Sequence, residues 1–584
     1  LFATPGEYEP ATLALRALED LDDLRVSFDG VPATGEVLPI RTLDKRVVYS
    51  SREFVARMPV LCERRDVVDI AEATCKRFLI DLKIDEGADP GIHQGSVHID
   101  REGGERVTLP LRLRVLPFTL VEPEGMMWGE YYRGPMLASD DETWSEYLRP
   151  DMVDMREHGM TSVGLCFGAE IENVEFAADG TCALNFPGDS RYEQFMNLYV
   201  ELGYPAPVIL LSDSGQSAAG MGEVPVASDE WANRYKGFWR AMQAEAKRRG
   251  WPEVIVQPVD EPGWQGQEEK ERNIRCLELL KQIPGMRTEQ DGPGDAYFHN
   301  EAGPHSDVWN YNGGLSADHY PKALDDGRMV LIYNCDVESY RPEADRYVNG
   351  WFQAAHATHG AFNWAYMSWN GSPYDDQDHK TGTWMHVYPS MDDEPGGPSM
   401  GWIGAREGID DYRYISTLAS LTGGQVIDRT LASLDVSPGV RGRARWTETG
   451  LSPDGAKTIG GTMKLPNGWT HDDYQKNRWN IARATIDALA ARGTISPVGR
   501  PSVSKRKSGE LLTDLRWETR AQHARGTAPI AAARQVTIPV WDRSPEIDGE
   551  IGSGIWRSAA RLEPFTVNTG KGKPKMRTDV LIGT

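Results

Sequence analysis

Cysteine is scarce in this chain: Cys62, Cys75, Cys166, Cys182, Cys276 and Cys335 are scattered through 584 residues with no Cys-x-x-Cys pair. That spacing argues against a zinc site and against a disulfide scaffold. A Cys62–Cys75 bridge is conceivable, but free and mostly buried thiols are the expectation. Positive charge is also short: 63 Lys and Arg stand against 87 Asp and Glu, a net charge of −24. Nucleic acid and anionic membrane surfaces are therefore poor partners, although a locally basic pocket stays open. No run approaches the roughly 18 apolar residues that a membrane span needs, and no charged-then-apolar leader stands at the start. An initial methionine is missing too. The chain begins at Leu1 and closes on Val580-Leu581-Ile582-Gly583-Thr584, which reads as mid-strand, so both ends read as cuts. A secreted or periplasmic protein is expected, with no leader in these residues. Gly401-Trp402-Ile403-Gly404 and Gly460-Gly461 lack phosphate-loop context,. His356 and His359 share a helix face without a third ligand at suitable spacing and read as surface or packing residues. No metal and no cofactor are implied.

What is present is enough for several domains: 40% hydrophobic and 9% aromatic residues fill real cores at this length,. Residues 1–118 carry short alternating runs, at 24–28, 78–83, 96–99 and 107–115, broken by Gly, Pro and Asp. They predict an antiparallel β-sandwich. From residue 124 the rhythm becomes strand, loop, helix. Strands are expected at 126–133, 162–168, 208–213, 254–260, 287–291, 307–311, 330–335 and 361–369. Helices are expected at 144–158, 192–202, 268–282 and 343–358, and one runs from a Ser228 N-cap to a Gly250 stop. Eight strands alternating with helices predict a (β/α)8 barrel, assigned to 119–425.

The stretch that organises the chain is Val254-Ile255-Val256-Gln257-Pro258-Val259-Asp260-Glu261-Pro262-Gly263-Trp264. An apolar β-branched run ending in two carboxylates reads as a buried strand that delivers acids to a rim. Pro262 pushes Glu261 toward extended geometry, so Asp260 and Glu261 are expected to leave the strand end in different directions. A solvated acidic turn is the plainer alternative, and the barrel context weighs against it. The same rim is expected to collect Trp128, Glu130, Tyr131, Glu170, Asp213, Gln290, His299, Asn300, Asn310, Tyr311, Tyr333, Glu338, Tyr340, Asn363, Trp364, Trp369 and Asn370. Rings, amides and acids in this mixture suit a sugar, whose C–H faces stack on aromatics while its hydroxyls need directional partners. Each ring taken singly suits barrel core as well.

Downstream, Arg406-Glu407-Gly408-Ile409-Asp410-Asp411-Tyr412-Arg413-Tyr414 reads as opening a helix, with Arg406 bracing an acid by a bidentate pair. An amphipathic helix follows at 474–492, in a closing region assigned to 426–493. A linker is expected at 494–535. Residues 536–584 carry Pro545-Glu546-Ile547-Asp548-Gly549, Ile555-Trp556 and Leu562-Glu563-Pro564-Phe565. They resemble the start of a family-9-like carbohydrate-binding β-sandwich, too short to complete its core.

On Gly6-Glu7-Tyr8-Glu9-Pro10, on Val107 to Leu120, on Asp260-Glu261-Pro262 and on the Arg406-to-Tyr414 block, residues 1–492 resemble glycoside hydrolase family 123 and its wider relatives. That resemblance implies an exo-β-N-acetylgalactosaminidase acting by substrate-assisted hydrolysis, in which the 2-acetamido oxygen of the sugar is the nucleophile. Asp260 would then orient the acetamide N–H and stabilise the oxazolinium-like intermediate. Glu261 would protonate the leaving oxygen and later activate water. Tyr333 or Tyr388 would donate to the acetamide oxygen and Trp364 and Trp369 would stack on the ring, with Trp128 and Asn310 as further contacts; the resemblance does not fix these residue by residue. The alternatives are a retaining glycosidase with Glu261 as acid/base and Glu338 as nucleophile, or a non-catalytic glycan-binding protein on a hydrolase scaffold. A sulfated glycan is a conceivable target through Arg133, Arg341 or Arg406.

Overall fold

A computed structural model describes residues 1–49, 52–101, 103–138, 141–169, 171, 174–312, 315–316, 319–334, 342–376, 384–391, 394–423 and 470–494, with two short strands near the end, Ala560–Leu562 and Val580–Ile582. Those two pair antiparallel. The expected linker, and the expected carbohydrate-binding module apart from that pair, lie outside the described residues, as do Glu170, Cys335, Glu338, Tyr340 and Arg341.

The first 115 residues form two antiparallel sheets face to face, one of five strands and one of four. Alternation explains the packing. In the strand Cys75–Ile84, Phe78, Ile80, Leu82 and Ile84 point into the sandwich against Leu24, Val26, Val97, Leu111 and Leu113 of the other sheet. The opposite parity faces away: Leu79 packs with Met400 and Ile403 of a long helix, Met400–Thr422. Two residues on, and so on that same face, Asp81 receives Arg406 of the helix in a bidentate pair at 2.8 and 2.5 Å. Arg406 also lies over the Tyr8 ring at 4.4 Å. Its brace therefore joins sandwich to barrel, and it does not sit at the rim where a sulfate would bind.

The Arg406-to-Tyr414 block occupies the middle of that helix, whereas the sequence suggested its start. The helix begins at Met400 under a Ser399 N-cap, whose side chain accepts from Trp402 N–H. Glycines stand inside it for a packing reason. A Cβ on Gly404 would meet Pro342 O at 2.2 Å, and one on Gly408 would meet Arg346 O at 2.4 Å. The facing segment, expected as one helix over 343–358, is divided into Pro342–Arg346, a π-helical turn Tyr347–Phe352, and Gln353–His356. Gly350 of the π turn lies against the backbone of Gly408, where a Cβ would come within 2.3 Å of its carbonyl oxygen. This close backbone approach goes with the interrupted helix.

Eight parallel strands close the barrel: Gly129–Tyr132, Gly164–Leu165, Val208–Leu210, Val254–Val256, Arg287–Gly292, Val308–Asn312, Met329–Asn334 and Ala361–Asn363. The first pairs with the eighth through Gly129↔Phe362 and Glu130↔Asn363. Its interior is packed with Tyr131, Ile209, Ile255, Val308, Leu331, Tyr333 and Phe362. The helix Asp229–Arg249 has the expected ends, with Ser228 capping Trp231 N–H and Gly250 left-handed at φ 71. The last described helix, His471–Ala491, sets Trp479 against Phe2 and pairs Arg478 with Asp411 and Glu407 of the Met400–Thr422 helix and with Glu7 of the sandwich. Five cysteines, Cys62 and Cys75 among them, are free. Among the described residues no helix is long and apolar enough to cross a membrane.

Candidate active site

The fourth barrel strand, Val254–Val256, is short because its continuation runs into Pro258, which has no N–H for a ladder,. The chain continues to the rim at the carboxyl end of the barrel, where Glu261 adopts φ 44 and ψ 50. This differs from the extended geometry expected before Pro262. The proline disfavours the right-handed region, and the Asp291 carboxylate supplies the choice between the others by accepting the Glu261 main-chain N–H at 2.9 Å,. A left-handed non-glycine residue costs free energy and persists where its surroundings hold it. The turn then runs through a 3-10 segment, Pro262–Trp264, with Trp264 N–H bonded to Glu261 O and the Gln265 amide donating to Asp260 O.

Two neighbouring strand ends hold the Glu261 side chain. Asn312, last in the sixth strand, donates Nδ2–H to Glu261 Oε1 at 2.9 Å, and the Tyr333 hydroxyl, from the seventh, donates to the same oxygen. Register explains the pairing of donors, because Asn312 and Tyr333 are direct partners. Oε1 thus accepts two hydrogen bonds from neighbouring strand ends.

Beneath the turn, the fifth strand adds two acids that sequence reasoning did not single out. Glu289 and Asp291 sit at i and i+2, on one face of the strand, and are 0% and 2% exposed,. Asn310 donates to Glu289 Oε1 at 2.8 Å and to the Tyr131 hydroxyl at 3.0 Å, so the amide supports the site's floor. Burial pushes Glu289 up to about 8, against the pull of the Asn310 hydrogen bond. Asp291 is held well above the usual carboxylate range by burial and by the charges of Asp260, Glu289 and Glu261. Desolvation of its carboxyl also raises Asp260, opposed by a hydrogen bond with Asp291. The visible signal was the pair of acids in a strand beside the Asp-Glu strand, which alternation places on one side.

The remaining expected residues divide. Trp364 follows the eighth strand, half-buried, with its ring 6.0 Å from Tyr131, which in turn lies 6.1 Å from Tyr333. Trp369 is half-buried against the core. Trp264 is 56% exposed on the turn that carries the acid pair. Trp128 is not brought to the rim: it precedes the first strand at the amino end, is fully buried, packs on Tyr412 and donates Nε1–H to Asn349 O. Tyr388 is buried as well, with its hydroxyl accepting from Lys45 of the sandwich at 3.3 Å. Lys45 also pairs with Asp376 at 2.8 Å, so the long sandwich hairpin braces the loops that follow the eighth strand. Glu130 is buried, accepting from Asn363 at 2.8 Å and paired with His386 at 3.0 Å. Asp213 caps a short helix and receives Tyr235 and Trp239. His356 bonds Tyr320 and His359 accepts from Val330 N–H, both as packing residues. Arg133 is exposed at the carboxyl end of the first strand, where its charge and that of Asp260 both act on Cys166.

Residues 186–418 match the model of the glycoside hydrolase 123 catalytic domain. The chain carries a family 123-type glycoside hydrolase domain. The match spans barrel strands three to eight and contains Asp260, Glu261, Asp291, Asn312 and Tyr333. A solved family 123 glycoside hydrolase from Clostridium perfringens, described in work on glycolipid glycan hydrolysis, shares the fold. It is 14% identical, over 84% of this chain and 93% of that one, with a TM-score of 0.58. A family 39 glycoside hydrolase from Bacteroides cellulosilyticus WH2 is 13% identical over 69% of this chain and 83% of that one, with a TM-score of 0.34. None of the curated proteins matches the sequence. The protein is a glycoside hydrolase acting on a glycan, and the candidate site lies at the barrel face where such enzymes place their chemistry,.

Proposed function

We propose that this family 123-type hydrolase removes terminal β-linked N-acetylhexosamine, specifically N-acetylgalactosamine, from glycans with retention, through an oxazolinium intermediate formed by the substrate's own acetamide. The observation that carries the reading is the burial of the two carboxyls beneath the turn. Glu289 and Asp291 are buried and pushed toward their neutral forms, so neither is suited to attack an anomeric carbon as an anion,. An acetamido group fills that role without an enzyme nucleophile. Glu338, the nucleophile of the alternative retaining scheme, lies outside the described residues.

In the first step the acetamide oxygen bonds to the anomeric carbon as the glycosidic C–O bond breaks. Glu261 gives its proton to the departing oxygen, and its new negative charge is met by Tyr333 and Asn312,. Asp260 accepts the acetamide N–H and stabilises the positive charge that spreads over the oxazolinium ring. In the second step Glu261 takes a proton from water as the water oxygen bonds to the anomeric carbon, and the bond between that carbon and the acetamide oxygen breaks to restore the acetamide. Trp364 and Trp369 are the proposed stacking rings, and Arg133 is the described arginine positioned for a sulfated sugar. The test is turnover of chromogenic β-GalNAc, β-GlcNAc and β-Gal with a thiazoline inhibitor in parallel. Activity confined to acetamido sugars, highest on β-GalNAc and blocked by thiazoline, is expected. Thiazoline-insensitive β-Gal turnover would replace the reading with a separate nucleophile, and binding without turnover of any glycan would favour a glycan-binding scaffold.

A further inference from the structure

Resting on the proposed role of Asp260 and Glu261, a third carboxyl beneath them has a geometry that neither packing nor the mechanism above explains. Asp291 is 2% exposed at the end of the fifth strand, yet it faces acids. Asp260 and Glu261 reach it from the turn and Glu289 lies two residues earlier on its own strand. From the following loop comes Tyr297. Across the strand pair stands the uncharged Asn310. An anion here would be repelled by the Asp260 carboxylate, whereas a neutral carboxylic acid has one acceptor oxygen and one O–H to offer,. Both find partners here. Asp291 Oδ1 accepts the Glu261 main-chain N–H at 2.9 Å, and the carboxyl shares a side-chain hydrogen bond with Asp260.

We propose that Asp291 is a positioning residue that works as a neutral acid, fixing the left-handed turn of Glu261 through its acceptor oxygen and holding Asp260 ionised and oriented by donating its proton to it. One side chain thereby aims both members of the pair. The proton stays on Asp291 throughout; it is not the proton transferred to the leaving group. Asp260, as the anion, is left ready to accept the acetamide N–H, while the turn sets the direction in which Glu261 presents its acid.

Asparagine reproduces the neutral form: its amide oxygen accepts the Glu261 N–H and its NH2 donates to Asp260. The test compares wild type, Asp291→Asn and Asp291→Ala on a β-N-acetylhexosaminide, reading kcat, KM and the pH profile, with thermal melting to confirm that each is folded. Asp291→Asn is expected to keep kcat within about threefold and leave the alkaline limb of the profile in place. Asp291→Ala is expected to lose about 10²–10³ in kcat with little change in KM, a loss of the size seen when a charge-stabilising group is misplaced. A purely structural residue would not be rescued by asparagine in this way. Were Asp291 an anion in the working enzyme, its replacement by asparagine would remove a like charge and pull the alkaline limb down by about one unit. That shift, or an asparagine variant as impaired as the alanine one, would overturn the proposal, as would an alanine variant with wild-type kcat. If the wild type itself ignores acetamido sugars, the substrate reading fails separately, and the same ratios are then read on whichever glycoside it hydrolyses.

Discussion

Replacing Tyr333 by phenylalanine removes one hydroxyl and leaves its ring, which is buried beside Tyr131. The lost group is a donor to Glu261 Oε1, and Asn312 remains as the second donor at 2.9 Å. A hydrogen bond to a charged group contributes about 1.5–3 kcal/mol. It is strongest once Glu261 has given up its proton, so its loss makes Glu261 a weaker acid. At 1.36 kcal/mol per unit, the alkaline limb of the kcat profile should move up by about 1–2 units. At the optimum, kcat should fall by about 10- to 100-fold for a leaving group that needs protonation, and much less for a strongly acidic phenol that does not. The assay is a pH series with a pair of aryl β-N-acetylhexosaminides whose phenols differ in acidity. An unchanged limb, or one that moves down, would refute the placement of the hydroxyl on the catalytic acid; equal loss on both leaving groups would refute its role in proton transfer.

Trp264, exposed on the turn that carries the pair, is placed to stack on whatever lies beyond the cleaved bond,. Trp264→Ala should raise KM for an oligosaccharide about tenfold while sparing a small aryl glycoside, and equal effects on both would remove it from the aglycone side. Arg406→Ala breaks a buried bidentate pair and strands Asp81 against the helix. A loss of about 3–5 kcal/mol in denaturant unfolding is expected, and a loss under 1 would show that the pair is dispensable. Glu289, pushed up to about 8, keeps in the folded state a proton that the unfolded chain releases around the ordinary glutamate value of 4.5. Its stabilising contribution is therefore whole below about 4.5 and lost as the pH climbs to about 8. Glu289→Gln should flatten that decline in melting temperature; an unchanged slope would mean that Glu289 is ionised in the folded protein.

The barrel was legible because strands such as Val208–Leu210 and Val254–Val256 are compact β-branched runs set between helices with recognisable ends, and the Ser228 and Gly250 caps fall where expected. The strand ends were less legible. Glu261 breaks the rule for a residue before proline because a carboxylate distant in sequence supplies its hydrogen bond, and no local preference encodes that contact. The same is true of Gly404 and Gly408, whose role shows only once the chain packed against them is seen. Among the site residues, the Asp260-Glu261 pair stood out as charge at the end of an apolar run. Glu289 and Asp291 were hidden because their strand looks polar, and acids in a buried strand resemble surface until the barrel closes around them. Aromatic residues were hardest to place. Trp128 and Trp364 flank strands alike in sequence, yet the first precedes its strand at the amino end and the second follows its strand at the rim.

The central claim is that the nucleophile belongs to the substrate, and it is tested most directly by aryl β-N-acetylhexosaminides whose acetyl group carries zero, one, two or three fluorines. Each fluorine weakens the acetamide oxygen as a nucleophile without altering the leaving group. The account predicts a steep fall of kcat/KM along the series, with Asp260→Asn slow throughout. A flat series would contradict it and assign the attack to a carboxylate of the protein.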